Sequence, residues 1–317
     1  MNSTRATVAA VALACLGLAL VSQLHGDGRS EATRSEATRS NATPGLTTGT
    51  HWGVPGDMRT YKRIGYDFAV RSVDPRRPRE WREELDAAQS QGLKLIIGAH
   101  PEPYSFSEGR WAISPAGIRF LRYLRSRAEL VLALFVYNEP YWVNPFTGRT
   151  DPCGAVSANV LRSLRTKIHT IWPEARIYHD IGRPSQWAPG GTLHETYACI
   201  GEKYANVKGL ADYVGAWYFP FRQSGYRRSD GLAVLARESA YISKSMDAVT
   251  VWLSQAHTCC EDLVWPSDAE ILDWNCTIRS ALPRGALVSW YAWRQQRYRD
   301  YLANHPEQWQ LTTDAGC

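Results

Sequence analysis

Between His51 and Trp293 eight short apolar runs alternate with longer segments of helical period, and this alternation limits the folds open to the chain. The runs are HWGVP (51–55), DFAVRSV (67–73), LKLIIGAH (93–100), LVLALFVYN (130–138), ARIYHDI (175–181), ADYVGAWYF (211–219), AVTVWLSQ (248–255) and ALVSWYAW (286–293). Most are β-branched or aromatic and too continuously apolar for a strand with one wet face, so they read as strands covered on both sides. Helical patterns separate them at 79–92, 114–128, 158–172, 231–246 and 267–282. Gly92 is a natural helix stop, and Ser114-Pro115 supplies a cap followed by proline at the first helical position. Eight strand–helix units over residues 51–317 predict one (β/α)8 barrel of α/β class. A doubly wound open sheet would bring a glycine-rich phosphate turn after its first strand, and GVPGDM is not one.

The segment before the barrel has a different character. Arg5 precedes an apolar run, Val8–Val21, which is short for a membrane span and resembles the core of an export signal. Residues 1–25 are therefore expected to be a signal peptide or an uncleaved signal anchor. Residues 26–50 repeat EATRS and are rich in Ser, Thr, Ala and Arg, a composition that cannot bury a core and reads as a disordered linker. The protein is expected to be secreted or extracytoplasmic, touching a membrane only through its N-terminal segment, and monomeric. Export makes disulfides the natural fate of Cys153, Cys199, Cys259, Cys260, Cys276 and Cys317. At least two bridges are expected, with Cys259 and Cys260 bonded to separate partners and Cys153 and Cys199 pinning loops above the barrel. The chain has no C-x-x-C, which argues against a zinc site, and no cofactor or metal is expected.

The net charge is +5 without a Lys/Arg cluster, which argues against a nucleic-acid partner. Thirteen tryptophans with so mild a charge fit a flat, hydroxylated ligand such as a poly- or oligosaccharide, because indole faces stack on sugar C–H surfaces. In a barrel of this kind function sits at the C-terminal strand ends. Those ends carry Arg71, His100, Asn138-Glu139-Pro140, His179-Asp180, Trp217-Tyr218, Gln255 with His257 beyond it, and Trp290 with Trp293. His51 is expected at the start of its strand, on the opposite rim, so the four histidines near strand termini are not expected to form a metal site.

Asn-Glu-Pro on the fourth of eight strands resembles the clan of retaining glycoside hydrolases that includes the family-five cellulases and mannanases. The resemblance covers Trp52 to about Gln295. It implies that Glu139 is the general acid/base and that Asn138 binds the substrate 2-hydroxyl. Arg71, His100, Tyr218 and Trp290 or Trp293 would belong to the substrate site, with Trp217 and Asp180 beside them. The clan's nucleophile, a Glu ending strand seven, is replaced by Gln255, and a neutral amide cannot act as that carboxylate. Glu261 in the following loop, Asp180 or Glu102 are alternative carboxylates. The competing expectation is a catalytically inactive glycan-binding barrel at the cell surface.

Overall fold

The computed structural model describes residues 47–51, 54–140, 156–197, 199–204, 206–258, 262–293, 300–313 and 317. The export segment, Cys153, Cys259, Cys260 and Glu261 lie outside the described residues. Eight parallel strands close into a barrel: β1 (Thr47–His51), β2 (Phe68–Val73), β3 (Lys94–Ala99), β4 (Val131–Asn138), β5 (Ile177–Gly182), β6 (Tyr213–Trp217), β7 (Val249–Gln255) and β8 (Leu287–Tyr291). Each pairs with its neighbours in chain order, and β1 closes the ring against β8, with Thr47 opposite Leu287 and Thr50 opposite Trp290.

The six longer helices are α1 (Met58–Ile64), α2 (Pro78–Gln91), α3 (Pro115–Arg125), α4 (Ala158–His169), α5 (Arg228–Tyr241) and α6 (Asp268–Ala281). Their ends follow local chemistry. Ser114 accepts the Gly117 N–H at 3.1 Å, and Ser267 and Glu270 form a reciprocal capping box on α6. Gly92 ends α2 at φ 64°, in the left-handed region that glycine enters without steric cost. Short helical turns at Pro184–Trp187, Thr192–Thr196 and Ile200–Tyr204 stand between β5 and β6. Two small hairpins, Tyr104–Ser107 with Arg110–Ile113 and Phe221–Arg222 with Gly225–Tyr226, decorate the loops after β3 and β6.

Two apolar layers hold the barrel. The inner one is built from Phe68, Val70, Ile96, Ala133, Tyr178, Tyr213, Val251, Leu253 and Leu287, one residue in two along each strand. The outer one fills the gap between strands and helices and takes most of the tryptophans, including Trp81, Trp252, Trp274, Trp290 and Trp293. Gly49 is required where β1 meets β2: a Cβ there would lie 2.5 Å from the Phe68 carbonyl oxygen and 2.7 Å from its ring. Phe68 fills the barrel at that level in its place.

Strand existence and order match the sequence expectation, with one displacement. The first strand was expected at His51–Pro55 and lies at Thr47–His51. Its Thr-Thr-Gly-Thr sequence lacks an apolar run because small inward residues are needed beside Phe68. As a consequence His51 ends its strand on the same rim as the other C-terminal ends, not on the opposite one.

The chain's last turn, Pro306–Thr312, is stitched to the outer layer. The Trp290 indole N–H donates to the Thr312 carbonyl at 2.9 Å, Tyr66 and Thr312 share a 2.7 Å hydroxyl bond, and Asn275 Nδ2 donates to the Leu311 and Thr313 carbonyls. A disulfide joins Cys276 of α6 to Cys317, and Cys199 is also disulfide-bonded. No helix among the described residues is long and apolar enough to cross a membrane.

Candidate active site

All eight strands run the same way, so their C-terminal ends share one rim. On β4 the strand ends in Asn138, exposed, and Glu139, half-buried. Glu139 takes φ 47°, a left-handed conformation uncommon for a residue with a Cβ. Its N–H donates to the Asp180 carbonyl at 2.6 Å, while Asn138 sits opposite Asp180 in the β4–β5 register. Burial pushes the Glu139 carboxyl up to about 7. Asp180 is held well above the usual carboxylate range, first by burial and then by the nearby Glu139 charge. Two carboxyl groups on adjacent strands therefore both favour their protonated forms, and ionising one disfavours ionising the other.

Beneath them lies Tyr178, two residues before Asp180 and on the same inward face. Gly215 of β6 makes room for both: a Cβ there would fall 2.4 Å from the Tyr178 hydroxyl and 2.6 Å from Asp180 Oδ1. Among the described residues neither oxygen has a hydrogen-bond partner. Buried polar atoms left unpaired are rare and costly, and cluster where a ligand or water completes them.

The adjoining stretch of the rim, from β6 to β8 and β1, is aromatic. Trp217 ends β6 with its indole half-buried, in space left by Gly182, where a Cβ would meet the ring at 2.7 Å. It lies parallel to Phe219 at 6.5 Å, and Phe219 is in turn parallel to Tyr291 of β8 at 6.5 Å. His257 meets both Phe219 and Tyr291 edge-on at 4.9 and 5.1 Å, and His51 meets Tyr291 at 5.5 Å. Burial lowers His51 to about 3 and His257 to about 4, so both imidazoles are neutral at neutral pH. His51 Nδ1 is hydrogen-bonded to Ser289 at 2.6 Å, which fixes its ring.

The structure thus gathers Asn138, Glu139, Asp180 and Trp217 at one rim. Other expected site residues lie elsewhere. Arg71 faces the helix layer, where it is buried and donates to both Glu84 carboxylate oxygens. Tyr218 is one residue past Trp217 and points outward, under the Arg183 guanidinium at 5.1 Å. Trp290 and Trp293 are in the outer core, Trp293 packed against Tyr61 and Trp309. His100 stands beyond β3 with its side chain 78% exposed, Nδ1 3.9 Å from Glu102. His179 faces outward, parallel to the Tyr137 ring at 6.4 Å.

Gln255 is fully buried and committed to backbone. Its Oε1 accepts the Phe221 N–H at 3.2 Å, and its Nε2 lies 3.2–3.4 Å from the carbonyls of His257, Phe221 and Val264. It ties the loop after β6 to the loop after β7. Tyr291, Phe219 and His51 were not foreseen as site residues. Tyr291 is the neighbour of Trp290 in the same run, and only the in–out parity of β8 separates them.

No protein-family model matches the chain, and no curated protein matches it. Solved structures do. A structure of fungal β-1,4-galactanases is 17% identical and superposes with a TM-score of 0.50 over 81% of this chain and 94% of that one. A glycoside hydrolase-like protein is 9% identical, with a TM-score of 0.54 over 88% and 96% of the two chains. An exo-β-1,4-mannosidase from Opitutaceae bacterium strain TAV5 is 13% identical, with a TM-score of 0.50 over 83% of this chain and 55% of its own. At these identities the likeness is one of fold, the closed parallel barrel with its surrounding helices, and a fold alone does not specify an activity.

Proposed function

We propose that this barrel is an exported glycoside hydrolase-like protein acting on a poly- or oligosaccharide, with Glu139 as general acid. The observation that carries the reading is the Glu139–Asp180 pair at the C-terminal rim, next to an aromatic wall. A carboxyl group raised to about 7 is still protonated in good part at neutral pH and can donate to a leaving glycosidic oxygen. Glycoside hydrolysis needs a second carboxyl in its ionised form, and Asp180 is the one beside Glu139: with sugar bound the coupled pair would share one proton, Glu139 keeping it as the acid and Asp180 serving as the anion. Trp217 offers an indole face for a sugar ring, and Asn138, exposed beside Glu139, offers an amide for its hydroxyls.

The test is a reducing-sugar assay over a panel of polysaccharides with wild type, Glu139→Gln and Asp180→Asn. Turnover that falls at least about a hundredfold in both variants supports the reading. Undiminished turnover in Glu139→Gln removes it. The committed amide of Gln255 favours a second reading, a glycan-binding barrel without catalysis. Oligosaccharide binding by calorimetry with no product in any variant is its signature.

A further inference from the structure

Beside the aromatic wall the loops after β5, β6 and β7 and the helix α5 bring together four arginines, Arg183, Arg222, Arg227 and Arg237, and three acids, Asp230, Glu238 and Asp262. Each acid has an arginine of its own. Arg222 pairs with Asp262, Arg227 with Asp230 at 3.5 Å, and Arg237 with Glu238 at 3.1 Å. Glu238 is further occupied by the Ser185 N–H at 2.8 Å and the Ser185 hydroxyl at 2.6 Å. Arg183 is left over. It is half-buried, and among the described residues its guanidinium meets no hydrogen-bond acceptor.

Its placement is nevertheless fixed. Arg183 follows Gly182, the last residue of β5, whose backbone abuts the Trp217 ring. The guanidinium lies over the ring of Tyr218, 5.1 Å from its centroid, and Tyr218 follows Trp217. Arg183 thus directly follows the β5 residue that abuts the Trp217 ring, and it lies over the residue that directly follows Trp217. A stacked guanidinium keeps its N–H edges free in a fixed plane, which is the geometry that grips a planar oxyanion with two parallel bonds. Burial lowers its pKa to about 10, with Tyr218 and Glu238 opposing the shift and Arg237 and Arg222 adding to it, so it stays charged at neutral pH while part of its hydration is lost. A guanidinium that has shed water without gaining an acceptor is an open anion site, since a counter-charge would recover the desolvation cost.

We infer that Arg183 forms a subsite for an oxyanion substituent of the glycan, a uronate carboxylate or a sulfate ester, beside the Trp217 platform. This rests on the reading that the chain engages a glycan, and it narrows the ligand to an acidic one.

The test is isothermal titration of wild type, Arg183→Gln and Arg183→Lys. The ligands are oligogalacturonate, a sulfated galacto-oligosaccharide, and uncharged galacto- and manno-oligosaccharides of equal length. Wild type should bind an acidic oligosaccharide about tenfold or more tightly than the uncharged ones, as expected for one charge-assisted bidentate contact. Arg183→Gln should abolish that preference and leave uncharged ligands within about twofold, and Arg183→Lys should keep part of it. The stronger of the two acidic ligands identifies the oxyanion. Equal wild-type affinity for acidic and uncharged ligands, or a preference that survives in Arg183→Gln, overturns the subsite and leaves the glycan reading standing. Absence of binding to every oligosaccharide overturns the glycan reading itself and the subsite with it. Should Arg183→Gln melt before it can be titrated, the wild-type comparison and Arg183→Lys still decide the question.

Discussion

Glu139 and Asp180 are joined through the backbone, the Glu139 N–H donating to the Asp180 carbonyl at 2.6 Å, while ionising either carboxyl disfavours ionising the other. The bond holds together, at one point of the rim, two groups whose charges repel. A site with this arrangement trades stability at neutral pH for acidity at the right place.

The first consequence is a pH dependence. Glu139 ionises near 4.5 in an unfolded chain and near 7 in the folded one. The proton is therefore held more tightly by the folded state. Its contribution to stability is complete below about 4.5 and is lost as pH rises through 7, an effect of about 2 kcal/mol after allowing for partial exposure. Urea denaturation of Glu139→Gln against wild type at pH 4.5, 6 and 8 should show the variant gaining ground as pH rises. If turnover is found, the wild-type pH profile of kcat/KM should fall on the alkaline side near 7. A stability difference that stays flat over this range would contradict the assignment.

Asp180→Asn should separate stability from function. The substitution keeps shape and removes a carboxyl that burial already holds protonated. Thermal melting at pH 8 should show the variant at least as stable as wild type, and turnover should nevertheless be lost. A variant that unfolds early and also loses activity would assign Asp180 a structural role only.

Gln255→Glu should not restore a missing nucleophile. The new carboxylate would face the carbonyls of Phe221, His257 and Val264, which now approach the amide N–H2. The Phe221 N–H can meet one carboxylate oxygen, but the other would face carbonyls alone, and a buried charge so poorly met costs about 3–5 kcal/mol. The unfolding free energy from urea titration at pH 7 should fall by that amount, with partial recovery at pH 5, where the acid is neutral. Higher turnover with unchanged stability would show that the carbonyls can rearrange around a carboxylate.

The tryptophans should divide into two groups. Trp290→Ala removes a fully buried ring and its bond to Thr312, a loss of about 3–5 kcal/mol. Trp217→Ala removes a half-buried ring from the rim, so its cost in stability should be smaller and its cost in oligosaccharide affinity larger. Paired melting curves and titrations of the two variants test the division, and equal effects on affinity would erase it.

Replacing Cys276 and Cys317 with serine opens a ring whose ends are 41 residues apart. The chain-entropy cost of such a ring is about 4 kcal/mol, and the turn at Pro306–Thr312 should become the first region to exchange its amide hydrogens. Hydrogen exchange read by mass spectrometry follows this directly. Unchanged protection of Leu311 to Thr313 would show that the hydrogen bonds from Asn275 and Trp290 hold the turn alone.

The barrel was legible in the sequence because seven of its strands are continuous apolar runs separated by helices with clear caps, such as Ser114-Pro115. β1 was displaced because Thr47-Thr48-Gly49-Thr50 carries no apolar signal; Phe68 supplies the bulk its neighbour lacks. The rim was legible only in part. A strand buried on both faces gives no sign of which residues point inward. Trp290 and Arg71 were therefore read as site residues when parity turns both outward, and Tyr291 went unnoticed. Glu139 and Asp180 were singled out because a carboxylate at the end of an apolar strand stands out whatever its parity, and the structure sets them side by side. The role of Gln255 as a loop tie depends on carbonyls from two other loops, which no local pattern announces.

The seam where β1 meets β8 has a further meaning in time. Thr50 donates its hydroxyl to the Trp290 carbonyl across a separation of 240 residues. At a synthesis rate of roughly 5–20 residues per second, about 10–50 s pass between the emergence of the two strands. For that interval β1 waits beside β2 with one edge of its backbone unanswered, the condition in which a nascent sheet recruits the wrong neighbour. Threonines and a glycine, in place of valines and isoleucines, make that waiting edge a poor template for other chains. The polarity that hides the strand from a reader of the sequence also hides it from a stray partner while the ring is still open.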